Sequence, residues 1–373
     1  MKTYFLFFGL LLAAGCHQVK TKTANMEVDF RFSEKSIGNL DGQPVVEYTI
    51  SNPNGMELSF LNYGGTVCRL LVPDRNGATE DVALGFDSLQ GYLQKDDPYI
   101  GSLVGRYANR IAHARFELEG NSYSLFANNN GNMLHGGEKG FDKKIWTVEK
   151  TTDSSATLKY HSSDGEEGFP GNLDVKIIYS LTANNEFRIE YSAVTDKATP
   201  VNLTNHTYFN LSGGKQPTIL DHELRIDADR YTEVDSLLIP TGDLKAVDNT
   251  AFDFRDPKLI GRDIDQIKGG YDHNWVLNHY NGILRNVGSL YCPANGVKMD
   301  ILTTEPGLQF YSGNFLDGSL KHTKGGISYG LHAGLCLEAQ HFPDSPHQPD
   351  FPNTILKPGQ TYSQVTVYAF SVK

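Results

Sequence analysis

The stretch LDVKIIYSLTANNEFRIEYSAV, residues 173–194, alternates apolar and polar residues on both sides of a polar break. Leu173, Val175, Ile177, Tyr179 and Leu181 recur at period two, and after TANN so do Phe187, Ile189, Tyr191 and Ala193. Period two places alternate side chains on one face of a strand, so the stretch reads as two half-buried strands in a hairpin.

The same pattern repeats outward along the chain. VVEYTIS (45–51), ELSFLNY (57–63), TVCRLLV (66–72), ATLKYHS (156–162) and QVTVYAF (364–370) are further strand signals. Turn clusters such as NPNG, DRNG and DGEEGFPG separate such runs. Only SLQGYLQ (88–94) hints at helical spacing, and there is no fixed-period repeat. Many antiparallel strands with one apolar face each predict an all-β sandwich. No linker divides residues 30–373, which read as one large domain; two sandwiches are the alternative division.

Composition bounds the partners. The chain has 373 residues and a formal net charge of -11, without a Lys/Arg-rich run, which argues against nucleic acid. The 37 glycines and 19 tyrosines suit a β protein with many turns. MKTYFLFFGLLLAAGC has the layout of a signal peptide over residues 1–15, and its ending resembles a bacterial lipoprotein processing site. Cys16 is then the expected lipidated residue, and 16–29 a polar tether. The expected location is an exported, membrane-anchored protein facing the periplasm, touching the membrane only through that lipid. Cys68, Cys292 and Cys336 lack CxxC spacing, so they read as small packed hydrophobes rather than a disulfide framework or zinc site.

Chemistry-bearing residues fall in several clusters. In NLTNHTYFNLSG (202–213), period two puts Leu203, Thr207, Phe209 and Leu211 on one face, together with Asn205. Thr204, His206, Tyr208 and Asn210 fall on the other. A lone His in such a run is commonly a hydrogen-bonded structural residue. Asn202, Asn205 and Asn210 each begin an N-x-S/T pattern, read as accidental on a packed strand. GRYANRI (105–111), NNNGNMLHGG (128–137), YDHNW (271–275) and EPGLQFYSGNF (305–315) add Asn109, Arg110, His135, Asp272 and Gln309. GLCLEAQ (334–340) places Glu338 beside Cys336 and Gln340 on one face of a half-buried strand. A carboxylate there needs a partner, and burial raises its pKa toward the range of a useful base. There is no GxSxG, P-loop, GxGxxG before a helix, or HExxH. Amides, carboxylates, Arg and aromatic rings suit a polyhydroxylated neutral ligand.

These clusters, in this order, resemble the aldose 1-epimerase (galactose mutarotase) family from about residue 37 to the C-terminus. The resemblance implies a large antiparallel β-supersandwich. It implies interconversion of the α and β anomers of free hexoses such as glucose and galactose, without metal or organic cofactor. A small-molecule sugar is the implied partner, and a monomer is compatible with it. By motif position, Glu338 matches the base (proton acceptor) and His206 the acid (proton donor). Asn109, Arg110, His135, Tyr208, Asp272 and Gln309 match sugar-binding positions. Tyr107 and Trp275 depart from the family's frequent Val and Phe.

Mutarotation moves the O1 proton away while the ring oxygen O5 gains one. The hemiacetal opens, C1–C2 rotates, and the same groups act in reverse. An ionised Glu338 and a protonated His206 would serve, each contributing about 10²–10⁴-fold. Protonation of His206 needs a nearby negative charge, expected from Asp272 or Glu338. Two other readings compete. A hexose-phosphate epimerase would need a cationic clamp, for which Arg106, Arg110 and Lys139 are the candidates. A non-catalytic sugar-binding lipoprotein would have no need of the Glu–His pair.

Overall fold

The computed structural model describes residues 1–2, 29–95 and 97–373. All but the first two residues of the proposed signal segment, together with Cys16 and nearly all of the tether, lie outside these residues.

The 173–194 hairpin forms as its alternation predicts. Leu173–Leu181 pairs antiparallel with Glu186–Thr195, with Leu181 opposite Phe187. Its apolar set is buried while the intervening residues stay partly exposed. This hairpin sits inside a nine-stranded antiparallel sheet whose order is Thr147–Thr152, Ser155–Ser162, Leu173–Leu181, Glu186–Thr195, Tyr362–Val372, Val297–Thr303, Arg285–Tyr291, Glu223–Ile226 and Lys258–Leu259. The C-terminal strand Tyr362–Val372 lies between the hairpin and Val297–Thr303, so both halves of the chain share one sheet.

Two five-stranded antiparallel sheets complete the main architecture. One runs in chain order from Arg31–Leu40 to Thr79–Asp81. The other has the order Pro240–Ala246, Arg230–Val234, Asp272–Val276, Gly307–Tyr311, Cys336–Gln340. Each further run read as a strand coincides with a strand to within two residues at its ends, and Leu89–Tyr92 is a single helical turn. Among the described residues no helix is long and apolar enough to cross a membrane. The architecture is the all-β sandwich that the alternation predicts, in the large antiparallel form that the family resemblance implies.

One inter-sheet contact matters for the site. Cys336–Gln340 is an edge strand, and a buried edge needs partners for its outward carbonyls. Side chains supply them. Tyr368 donates to Leu337 O at 2.9 Å, and Thr204 and Gln364 donate to Ala339 O at 2.9 and 3.0 Å. The strand is thereby fixed against the large sheet, with Leu337 and Ala339 in the core.

Candidate active site

Three adjacent strands build one wall. Across them Asp272 lies opposite Tyr311, and Tyr311 opposite Cys336. Two residues along, Asn274 lies opposite Gln309, and Gln309 opposite Glu338. Directly opposed residues share a face, so all six belong to the same side of the sheet. Residues 336–340 were expected on a half-buried strand; all five are buried. The reason is tertiary: the face bearing Glu338 is roofed by segments distant in sequence.

The run 202–213 is one of those segments, and its strand reading needs correction. Only Thr204–Asn205 is strand, paired with Leu103–Val104. Beyond it, His206 donates its N–H to Ser102 O, and Phe209 exchanges both backbone hydrogen bonds with Leu335. The expected solvent or cleft face divides. His206 and Tyr208 line a cleft, whereas Thr204 and Asn210 turn away to hydrogen-bond backbone carbonyls. Asn202, Asn205 and Asn210 are all buried, which denies the N-x-S/T patterns a glycan in the folded state.

The cleft holds about 470 Å³ of open space, counting the part continuous with solvent. Seven of the eight expected site residues line it: Asn109, Arg110, His135, His206, Tyr208, Asp272 and Glu338. Gln309 does not line it; its amide donates to Asp272 Oδ1 at 2.7 Å and so aims that carboxylate. Tyr208 spends its hydroxyl on Pro98 O at 3.0 Å and presents its ring. Of the three cations considered for a phosphate clamp, only Arg110 reaches the cleft. Arg106 is buried, its Nη atoms on the carbonyls of Ser162, Pro170 and Gly171.

Tyr99, Leu134, Tyr311 and Phe315 also line the cleft and were not singled out by sequence. Tyr311 and Phe315 sit inside the EPGLQFYSGNF motif, read only for its glutamine; their rings stack at 6.0 Å. Tyr99 carries no local signal. Three lining residues, Tyr99, Asn109 and His135, have left-handed φ of 63°, 60° and 50°. Such strain in non-glycine residues clusters at functional sites. Asn109 and His135 hold each other there: His135 N–H donates to Asn109 O, and Asn109 N–H donates to His135 Nδ1 at 3.2 Å.

That second bond fixes a tautomer. Nδ1 of His135 is an acceptor, so its Nε2 carries the proton. His135, His206 and Glu338 have potential ligand atoms within 4.8 Å of one another. His135, however, has no free lone pair, because one nitrogen accepts Asn109 N–H and the other is protonated. Metal-bound imidazoles instead use their second nitrogen as a donor. The trio is therefore built for hydrogen bonding.

His206 Nε2 and Glu338 Oε1 face each other at 3.8 Å, with side chains 6% and 2% exposed. Glu338 Oε2 is buried without a hydrogen-bond partner. Burial pushes the Glu338 carboxyl well above the carboxylate range; Asp272 raises it further, and Arg110 draws it back. Burial pushes His206 down to about 4. Burial also drives His135 well down, helped by His206, Arg110 and Lys143. The sequence reading expected Asp272 to assist His206; its charge acts on Glu338 instead.

Burial thus disfavours the charged form of both partners. The ion pair Glu338⁻/His206H⁺ contains the same number of protons as the neutral pair and differs only in where one sits. A sugar hydroxyl on the orphaned Oε2 would stabilise the ionised form.

A profile of the aldose 1-epimerase family matches residues 46–369. The chain is 45% identical over 332 residues to a galactose mutarotase of Bos taurus, spanning 89% of this chain and 96% of that one. It is 39% identical over 337 residues to an aldose 1-epimerase of Escherichia coli K12, spanning 88% and 96%. A solved GalM/aldose epimerase homologue from C. elegans superposes with a TM-score of 0.81 at 31% identity, over 86% of this chain and 97% of that one. The chain belongs to the aldose 1-epimerase family.

Proposed function

We propose that this mutarotase acts on free hexoses such as galactose and glucose, with Glu338 and His206 as its acid/base pair. The observation that carries the assignment is the 3.8 Å gap between two buried groups at the cleft floor, with a carboxylate oxygen left unpartnered. In the reactive complex Glu338 is ionised and His206 protonated. Glu338 takes the O1 proton while His206 Nε2 gives one to O5, and the C1–O5 bond breaks. The site is then neutral–neutral, the distribution that burial of the two groups favours. That preference supports the open-chain aldehyde long enough for rotation about C1–C2. Ring closure returns both protons along the reverse path.

His135 Nε2–H, Asn109 and Arg110 supply hydrogen bonds to sugar hydroxyls, Asp272 accepts one, and Tyr99, Tyr208 and Phe315 offer ring faces to the C–H surface. A single cation at the cleft favours a neutral hexose over its phosphate. Polarimetry with α-D-galactose, α-D-glucose and glucose 6-phosphate tests the substrate class. Unaccelerated mutarotation of both free sugars by a protein that still binds them would establish a binding protein instead.

The localisation is part of the same proposal: export and lipidation at Cys16 place the enzyme on a membrane facing the periplasm. Metabolic labelling with a radioactive fatty acid, lost in Cys16→Ala, is the expected result.

A further inference from the structure

His206 has a second neighbour that the acid/base scheme does not use. Cys336 Sγ lies 3.4 Å from His206 Nδ1, on the same strand face as Glu338. Cys336 is wholly buried, and burial followed by the charge of Glu338 holds its thiol well up, so it remains uncharged.

Catalytic histidines are commonly oriented by a carboxylate. Three other histidines among the described residues show that arrangement, the exposed His161 with Asp174 at 2.7 Å among them. His341 Nδ1 lies 2.6 Å from Glu305, and His347 Nδ1 lies 2.6 Å from Asp344. Around His206 the neighbours are Cys336, Glu338 and the rings of Tyr99, His135, Tyr208 and Tyr311. Among the described residues Glu338 is the one carboxylate within 4 Å of its ring nitrogens, and that approach is at Nε2.

We infer that Cys336 is a positioning residue for His206: its sulfur accepts the Nδ1–H, which keeps Nε2 toward Glu338 as the only nitrogen that exchanges a proton. The inference rests on the acid/base assignment above. The proton balance requires this tautomer. When imidazolium gives its Nε2 proton to O5, the neutral ring left behind carries its hydrogen on Nδ1, and sulfur is the atom that faces it. A carboxylate in the same place would anchor the charge on the imidazole and hold the proton there after ring opening. A neutral, weakly accepting thiol orients the ring without trapping the proton.

The test begins with the unmutated enzyme. In ¹⁵N-histidine-labelled protein at neutral pH, His206 is expected to show a protonated Nδ1 and a bare Nε2. The opposite assignment overturns the inference, and this measurement needs no variant. Kinetics then compare Cys336→Ser, which retains a polar atom, with Cys336→Val, which retains bulk. Loss of one buried hydrogen bond predicts a fall in kcat of about tenfold in Cys336→Val, with Cys336→Ser within about threefold of the parent and KM little changed in both. A packing role alone predicts that Val outperforms Ser, and that ranking overturns the inference. Failure of the acid/base reading is separately visible: Glu338→Gln would keep its activity whatever tautomer His206 shows.

Discussion

Two histidines, the buried His206 and the partly buried His341, flank one strand, Cys336–Gln340, and their environments drive them in opposite directions. His206 faces the beginning of the strand and meets a thiol; His341 follows its end and meets Glu305. Burial lowers both. At His206 little opposes it, and the ring sits at about 4. At His341 the charge and hydrogen bond of Glu305 outweigh burial and raise the ring above its ordinary value. The same side chain is pushed toward its neutral form in one place and drawn toward its charged form in the other. One neighbouring residue makes the difference.

Removing the base should break the comparison most severely. Glu338→Gln is expected to lower kcat/KM for mutarotation by about 10²–10⁴-fold, measured by polarimetry. The same variant should gain stability relative to the parent as pH rises. The native pKa of Glu338 is raised, so its contribution is most favourable below the unfolded value near 4.5 and is lost as pH increases. Melting temperatures at pH 4.5 and 8 check the sign; a larger deficit for Gln at pH 8 would refute it.

Removing the carboxylate of the other pair should damage stability and spare chemistry. Glu305→Ala leaves a partly buried imidazole without its partner and is expected to destabilise by about 1–3 kcal/mol. Urea unfolding measures that loss, with kcat per folded molecule close to the parent. A parallel collapse of kcat would show that the two histidines are not functionally distinct.

The two rings should also leave opposite marks on stability against pH. His206 has a lowered native pKa, so its contribution is complete above about 6.5 and falls as pH drops toward 4. The full swing is on the order of 3 kcal/mol. His341 has a raised native pKa, so its contribution is complete below about 6.5 and is lost as pH rises through the native value. His206→Asn should flatten the acid side of the melting profile, and Glu305→Ala the other side. For activity, the pair works while it holds one proton. The acid limb of kcat/KM is expected near pH 4, where His206 takes up the second. A flat profile from pH 3 to 9 would contradict a shared-proton pair.

The smallest expected effect belongs to Gln309, which does not line the cleft and whose side-chain amide donates to Asp272. Gln309→Ala should lower kcat/KM by about tenfold, seen mainly in KM, by freeing the Asp272 carboxylate. An unchanged KM would mean that Asp272 needs no such support.

Much of the site was legible because its residues travel in short motifs. Seven expected side chains meet at one cleft although they come from separate strands and loops. What the motifs concealed were residues acting through geometry. Tyr99 has no flanking pattern, and its place beside His135 depends on a left-handed backbone. Arg106 and Arg110 share one motif, yet one is consumed by carbonyls and the other reaches the cleft. The run around His206 alternates like a strand but is mostly irregular, because it bridges Ser102, Ala83 and Leu335 instead of lying in one ladder.

By itself the sequence determined the all-β architecture, since period-two alternation is a local property of each strand and its turn. It also determined which residue types were available for proton transfer. Tertiary structure decided their states. Whether Glu338 is raised, whether His206 is lowered, and whether Cys336 is packing or a partner all depend on neighbours across the fold. Cys336 and His206 are 130 positions apart. Desolvation and hydrogen-bond partners are set by what covers a side chain, and no periodicity along the chain encodes that.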